Sequence, residues 1–326
     1  MNPLYPLKFK PIFKDKVWGG DKVKKLFNKD FSPLPNCGEC WELSGVENNL
    51  SVVSNGFLEG NNIKELIEVY MTDLVGEKVY GKFGLKFPIL VKIIDSCEWL
   101  SIQVHPDDML AQKRYGENGK SEMWYVLDAD KDAELISGFS REVNKETCHD
   151  FFLNKKLTEI LNYEKVKAGD VFYIPSGRIH ALGPGVCLAE IQQTSDITYR
   201  IYDWDRIDAG GVSRKLHVEE AIDAIDYTFR KNYRTRYSLD PDKPSNLVKS
   251  PYFTSNLLSP DKTLSRDYFG LDSFVIMMCV EGTVTLQYNE GQEKIIAGQT
   301  LMIPADMNEI SLQPGEKAKL LEVYIE

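Results

Sequence analysis

Two stretches of the chain repeat one another. Residues 167–180 read KAGDVFYIPSGRIH and residues 296–309 read IAGQTLMIPADMNE, so each carries Ala-Gly, four residues, Ile-Pro, and a polar residue five positions after the proline. Such an echo constrains the fold more than composition does, because both copies must be one supersecondary unit with the same turn chemistry. The unit is β: a glycine turns the chain into a short apolar run, and a proline closes it. The same punctuation bounds strand-like runs at 87–94, 98–104, 123–127, 170–174, 186–192 and 198–203, and nearly everything from 274 onward reads as strand. Many short strands with turn signals predict a sandwich or barrel rather than a doubly wound sheet. Helical period is clear at 62–77 and weaker at 144–162 and 218–227. The polar stretch 232–249, with Pro241 and Pro244, reads as a linker, which predicts domains at 1–240 and 241–326.

Composition sets the outer limits. The chain has 326 residues, 43% hydrophobic and 27% charged, enough to bury its own core without disulfides or a structural metal. A formal net charge of −10 makes it a poor nonspecific nucleic-acid binder, since phosphate neutralisation needs a basic face. The apolar run FVIMMCV at 274–280 is far short of the roughly 20 residues that cross a bilayer. Residues 1–20 contain no continuous apolar segment of secretory type, so the six cysteines are expected as reduced thiols in a cytoplasmic protein.

The chemistry concentrates near residue 100. If EWLSIQVH (98–105) is a strand, Trp99, Ser101, Gln103 and His105 share one face while Leu100, Ile102 and Val104 share the other. Polar residues on one face of a half-covered strand need a reason, and a His nitrogen with a Gln oxygen two residues away can hold one ion. Taken alone, that pair is better accounted for by a hydrogen-bonded histidine beside a turn. The second piece is Gly169-x5-Pro175-x-Gly177-x2-His180, which resembles the second sequence motif of the cupin superfamily. Its tight bend at Pro175-Ser176-Gly177 would aim His180 back into a barrel. The first cupin motif normally supplies His-x-His and a nearby Glu. Here the pair is Gln103-x-His105, and the Glu, Glu122, follows an insertion at 106–121.

Further segments sharpen the likeness. LSIQVHPDD (100–108), GKSEMWYVL (119–127), IPSGRIHALGPG (174–185) and QTSDITYRIYDWDR (193–206) resemble the type I mannose-6-phosphate isomerases, the short bacterial branch above all. CGECWELSG (37–45) is similar to that family's Gly-Glu-Ser-Trp-Glu segment, with Cys40 where serine is usual. The resemblance implies a mainly β fold of two cupin-type β-barrel (jelly-roll) modules, with a few α-helices attached to the N-terminal catalytic one. It implies a zinc-dependent aldose–ketose isomerase that interconverts mannose 6-phosphate and fructose 6-phosphate through a cis-enediol. The implied ligands of one Zn2+ per chain are Gln103, His105, Glu122 and His180; donor chemistry alone would also admit Mn or Fe.

The resemblance further implies Lys120 beside the metal, Arg200 over the substrate, and Ser101 and Arg206 near a phosphate. The expected partner is a small sugar phosphate, held by local cations in an acidic chain, with no nucleic acid and no membrane. The echo carries Glu309 where the first copy has His180, so the second module is expected to bind no metal. Two other readings compete. A non-catalytic sugar or sugar-phosphate-binding cupin would not need Lys120 and Arg200, and a metal-dependent oxygenase would keep the His-x-His pair that Gln103 breaks. Cys37 and Cys40 form a lone CxxC and read as structural, His149 and His217 read as surface or cap residues, and Glu190 points into the barrel without an assigned role.

Overall fold

The computed structural model describes residues 3–207, 211–241, 243–289 and 291–326. The protein is mainly β and divides into two compact units, 13–40 with 92–235, and 1–12 with 41–91 and 236–326. The grouping of 1–12 and 41–91 with the C-terminal segment differs from one cut at 240/241. The strand Leu7–Lys8 pairs with Thr300–Ile303 and completes the C-terminal sheet. The backbone amides of Glu77 and Lys78 donate to the Asp272 carboxylate at 2.6 and 3.0 Å.

The unit that holds 92–235 contains a five-stranded sheet ordered Tyr199–Tyr202, Ile102–Val104, His180–Leu182, Glu134–Phe139 and Leu161–Lys165. A second sheet brings Arg234–Thr235, Val171–Ile174, Glu122–Ala129, Val186–Gln193 and Ile89–Ser96 side by side. One face of the five-stranded sheet carries Ile102, Val104, Ile136, Ala181 and Ile201, buried against the helices Lys145–Leu153 and Val218–Ala224. The other face contributes Leu135 and Leu182 to a core with Trp124, Val126, Phe172 and Leu188 of the second sheet. Period-2 alternation therefore puts Glu122, Trp124 and Val126 in one row, with apolar side chains filling the interior up to the glutamate.

The alternation expected for 98–105 holds only where the chain is strand, at Ile102–Val104. Leu100 packs with the inner core rather than beside Ile102 and Val104, because the residues before Ile102 follow no pleat. The 106–121 insertion contains a helix, Asp108–Tyr115, capped by the Asp107 side chain and burying only Ala111, too little apolar period to be read in advance. The helix expected at 62–77 spans Ile63–Val75 with a break at Met71 (φ +46°), and Gly76 separates it from a further helix, Glu77–Phe83. The stretch read as a linker includes an edge strand, Ser245–Lys249, paired with Thr254–Leu258.

The other unit contains a six-stranded sheet and a four-stranded sheet enclosing Met277, Leu286, Leu301, Leu312 and Leu320. The echo is visible here bond for bond. Asp170 N donates to Lys167 O at 3.1 Å and Gln299 N to Ile296 O at 2.9 Å, while Arg178 N and Met307 N each donate 3.1 Å to the carbonyl of the preceding proline. Both turns place a glycine at positive φ, +88° at Gly169 and +83° at Gly298. Strand register extends the match. Glu122 pairs with Ile174 and Gln192, whereas Val275 pairs with Ile303 and Tyr324. Val275 thus occupies the Glu122 position. Trp124 pairs with Glu190 and Met277 with Glu322, so a buried carboxylate is kept at Glu322.

Candidate metal centre and active-site cavity

Three neighbouring strands set the site. Gln103 lies directly opposite His180 on one side and Arg200 on the other, so the three residues form a row across the five-stranded sheet. Glu122 opens the Glu122–Ala129 strand of the second sheet. His105 follows its strand and is tied to the Pro175-Ser176-Gly177 bend, because Gly177 N donates to His105 O at 2.8 Å. Gly177 has φ +85°, and a Cβ there would meet Ala224 O at 3.0 Å, so the bend that aims His180 takes glycine.

The two imidazoles are presented alike. His105 Nδ1 lies 2.8 Å from Ile197 O and His180 Nδ1 lies 2.8 Å from Arg178 O. A carbonyl only accepts, so each Nδ1 carries the proton and each Nε2 presents its lone pair to the site. His105 Nε2 is 3.6 Å from Glu122 Oε2, and His180 Nε2 is 3.4 Å from Glu122 Oε1. All three side chains are buried, and one ligand atom from each lies within 4.8 Å of the others. Neither oxygen of Glu122 has a hydrogen-bond partner of good geometry. Lys120 Nζ stands 3.1 Å from Oε2, and the buried carboxylate, set between two imidazole lone pairs, keeps acceptor capacity for a further cation. The residues fit a divalent metal on that ground.

Electrostatics agree. Burial, then Lys120 and His180, holds His105 well below its ordinary value, and burial brings His180 down to about 4, so both rings are neutral as ligation requires. Burial and then Glu190 push Glu122 up to about 7, against the pull of Lys120 and Lys92. Gln103 turns its amide nitrogen, not its oxygen, toward His180 Nε2 at 3.2 Å, while the Ser101 hydroxyl donates to Gln103 Oε1 at 3.3 Å. Ligation by the Gln103 oxygen therefore takes a half-turn of the amide.

A cavity of about 320 Å³ adjoins this cluster. Its wall carries five cations, Lys16, Lys92, Lys120, Arg200 and Arg214. Three carboxylates, Glu39, Glu190 and Asp196, face the same space, so the cavity is locally positive in a chain of net charge −10. Of the residues singled out from the sequence, Ser101, Gln103, Lys120, His180 and Arg200 line it. Lys120 precedes its strand, with Nζ 3.2 Å from His105 Nε2. Arg206 is not brought to the cavity wall; it donates to Trp99 O at 2.7 Å and lies 3.3 Å from Asp203.

Sequence reasoning missed Lys92, Arg214 and the cavity position of His217, and gave Glu190 no role. Lys92 Nζ donates to Glu190 Oε1 at 3.1 Å, and Trp124 Nε1 donates to Glu190 Oε2 at 2.9 Å. Burial works against both charges of this pair, yet Lys92 is held above its ordinary value by Glu190 and Glu39, and Glu190 below its own by Lys92 and Lys120. The signal was there to read: a lysine among the apolar residues of ILVKIIDS and a glutamate among those of VCLAEIQQ, both strands buried along their whole length.

Fold and site together define a cupin-type β protein with a His/Glu/His centre beside a cationic cavity. Residues 6–140 match the family described as phosphomannose isomerase type I, catalytic domain, and 245–325 match the mannose-6-phosphate isomerase cupin domain. The mannose-6-phosphate isomerase ManA of Bacillus subtilis is 35% identical, covering 94% of this chain and 96% of its own. The mannose-6-phosphate isomerase of Streptococcus mutans is 40% identical over 76% of this chain and 77% of its own. The crystal structure of the mannose 6-phosphate isomerase from Bacillus subtilis superposes with TM-score 0.88 at 32% identity, covering 98% of this chain and 99% of that one. The chain belongs to the type I mannose-6-phosphate isomerase family.

Proposed function

We propose that this chain isomerises mannose 6-phosphate and fructose 6-phosphate through a cis-enediol in the cavity, with one zinc ion per chain held by Gln103, His105, Glu122 and His180. The carrying observation is the buried cluster of His105, Glu122 and His180, with one ligand atom from each within 4.8 Å of the others. Moving a proton between C1 and C2 builds negative charge on a sugar oxygen, and a bound divalent ion would supply a Lewis acid there. The chain's own groups do the rest. Arg200, in one row with Gln103 and His180, offers a guanidinium whose buried Nε has no hydrogen-bond partner among the described residues, a donor for developing oxyanion charge. Lys120, between His105 and Glu122, is placed to hold or pass the moving proton. Ser101 lies past Gln103 on the cavity wall and serves the phosphate end.

Residues 1–240 carry this chemistry in our reading, and the module from 241 binds no metal, since Val275 and Glu309 replace Glu122 and His180. A cytoplasmic place of action fits six free cysteines, five of them buried. Among the described residues, no helix is long and apolar enough to cross a membrane.

The test is metal analysis joined to a coupled assay for fructose 6-phosphate. One zinc per chain, with activity lost on chelation and restored by zinc, supports the reading. Because each unit has its own apolar core, chelation should lower Tm modestly without global unfolding. Full activity in chelated, metal-free protein would sink it.

A further inference from the structure

Asp203 is buried and serves two arginines. Arg214 donates to both of its oxygens, Nε at 2.7 Å to Oδ2 and Nη2 at 2.5 Å to Oδ1. Arg206 reaches Oδ1 at 3.3 Å. What else each arginine holds separates them. Arg206 also donates to Trp99 O at 2.7 Å and lies 3.4 Å from Glu98, its side chain 15% exposed. Arg214 has no partner but Asp203 among the described residues, is 33% exposed, and lines the cavity.

The fold fixes where Arg214 enters. Ile207 and Ser213 form an isolated antiparallel bridge immediately before it. His217 N then donates to Arg200 O at 2.7 Å, and Arg200 Nη1 donates to Lys215 O at 3.1 Å, which clamps the segment along the Tyr199–Tyr202 strand. Tyr202 is in register with Ile102, so Asp203 follows at the Ser101 end of that strand, three residues past Arg200. Arg214 therefore reaches the cavity on the Ser101 side, away from the His/Glu/His cluster. Two guanidiniums of like charge face this space, and after burial Arg214 is the chief influence holding Arg200 below its ordinary value.

We propose that Arg214 receives the phosphate group of the substrate, releasing Asp203 to Arg206 when the dianion arrives. The proposal rests on the isomerase reading above and adds to it the residue that recognises the phosphate end. A guanidinium fork matches phosphate oxygens as it matches a carboxylate, so the exchange conserves two-pronged bonding. A buried carboxylate stripped of its only cation would be costly. Asp203 escapes that cost because Arg206 stays, anchored by Trp99 O. Two arginines on one aspartate thus let one of them leave. The Arg200–Arg214 repulsion is relieved by the same anion.

The test compares Arg214→Ala, Arg214→Lys and Arg206→Ala in the zinc-loaded enzyme. Arg214→Ala should raise KM for mannose 6-phosphate about tenfold to a hundredfold, with kcat within about threefold, the pattern of lost uniform binding. The inhibition constant of inorganic phosphate should rise by a similar factor, zinc content should hold, and Arg214→Lys should recover part of the loss. The proposal is overturned if Arg214→Ala leaves KM and phosphate inhibition within about twofold of the parent, or if the rise appears in Arg206→Ala instead. Failure of the underlying reading shows elsewhere, in unmodified protein that does not turn over mannose 6-phosphate, and would take this proposal with it.

Discussion

Nζ of Lys120 stands 3.1 Å from Oε2 of Glu122, both side chains buried, and 3.2 Å from Nε2 of His105. The two residues are two apart in sequence, one just before the strand and one opening it, so backbone geometry alone sends both side chains to the same place. In the proposed reaction this ammonium, set against the Glu122 carboxylate, would carry the moving proton. In Lys120→Met, zinc content should stay near the parent value while turnover falls by roughly 10²–10⁴, the range for a positioned acid–base group. Metal analysis and kcat measured on one preparation decide it; near-normal turnover would make Lys120 a structural counter-ion.

His105→Ala and Glu122→Gln each remove a donor from the cluster. Zinc and activity should be lost together in both, read by metal analysis and the coupled assay. Glu122→Gln also takes the carboxylate from the buried Lys120 ammonium, so some loss of Tm should accompany the loss of zinc. Full zinc occupancy in either variant would show a different ligand set.

Arg200 and Arg214 should fail differently. Losing the Arg200 guanidinium should lower kcat by roughly 10²–10³, the scale for one preorganised donor, with KM moving comparatively little and zinc unchanged. Steady-state kinetics of Arg200→Ala beside Arg214→Ala would show one defect in turnover and one in binding. Equal KM defects in both would place Arg200 at the phosphate as well.

Asp95 gives a pH prediction away from the site. It is buried, and burial pushes its carboxyl up to about 6 although Lys22 N donates to it at 2.6 Å. A carboxylate whose folded value lies above its unfolded one of roughly 4 costs stability once pH rises through that interval. The cost is absent at pH 3.5 and complete near pH 7, where it amounts to roughly 1–3 kcal/mol. Asp95→Asn keeps an acceptor for Lys22 N, so it should raise Tm at pH 7.5, and the gain should shrink to nothing toward pH 4. Thermal melts across that range check it; a gain independent of pH would refute it.

The sequence alone determined the local units. Gly169, Pro175 and Gly177 set a bend of fixed hand, and that bend dictates where His180 points, so the motif could be read before any strand was paired. Gln103 and His105 were legible for the same reason, through two-residue alternation, although the strand proved too short to carry the pattern back to Leu100. The second module was legible as an echo because its turn requires the same glycine and proline. What only the tertiary structure decided is which charged residues meet. Lys92 and Glu190 come from largely apolar strands, the first also carrying Asp95, and nothing local says that the two are partners. Arg206 and Arg214 are both arginines in one polar stretch, and spacing favours the first. Only the Ile207–Ser213 bridge and the anchoring of Arg206 on Trp99 O put the second on the cavity wall. Side-chain period and turn chemistry are properties of neighbouring residues, so sequence fixes them. Charge pairing across a barrel depends on register between distant strands, which only the folded chain selects.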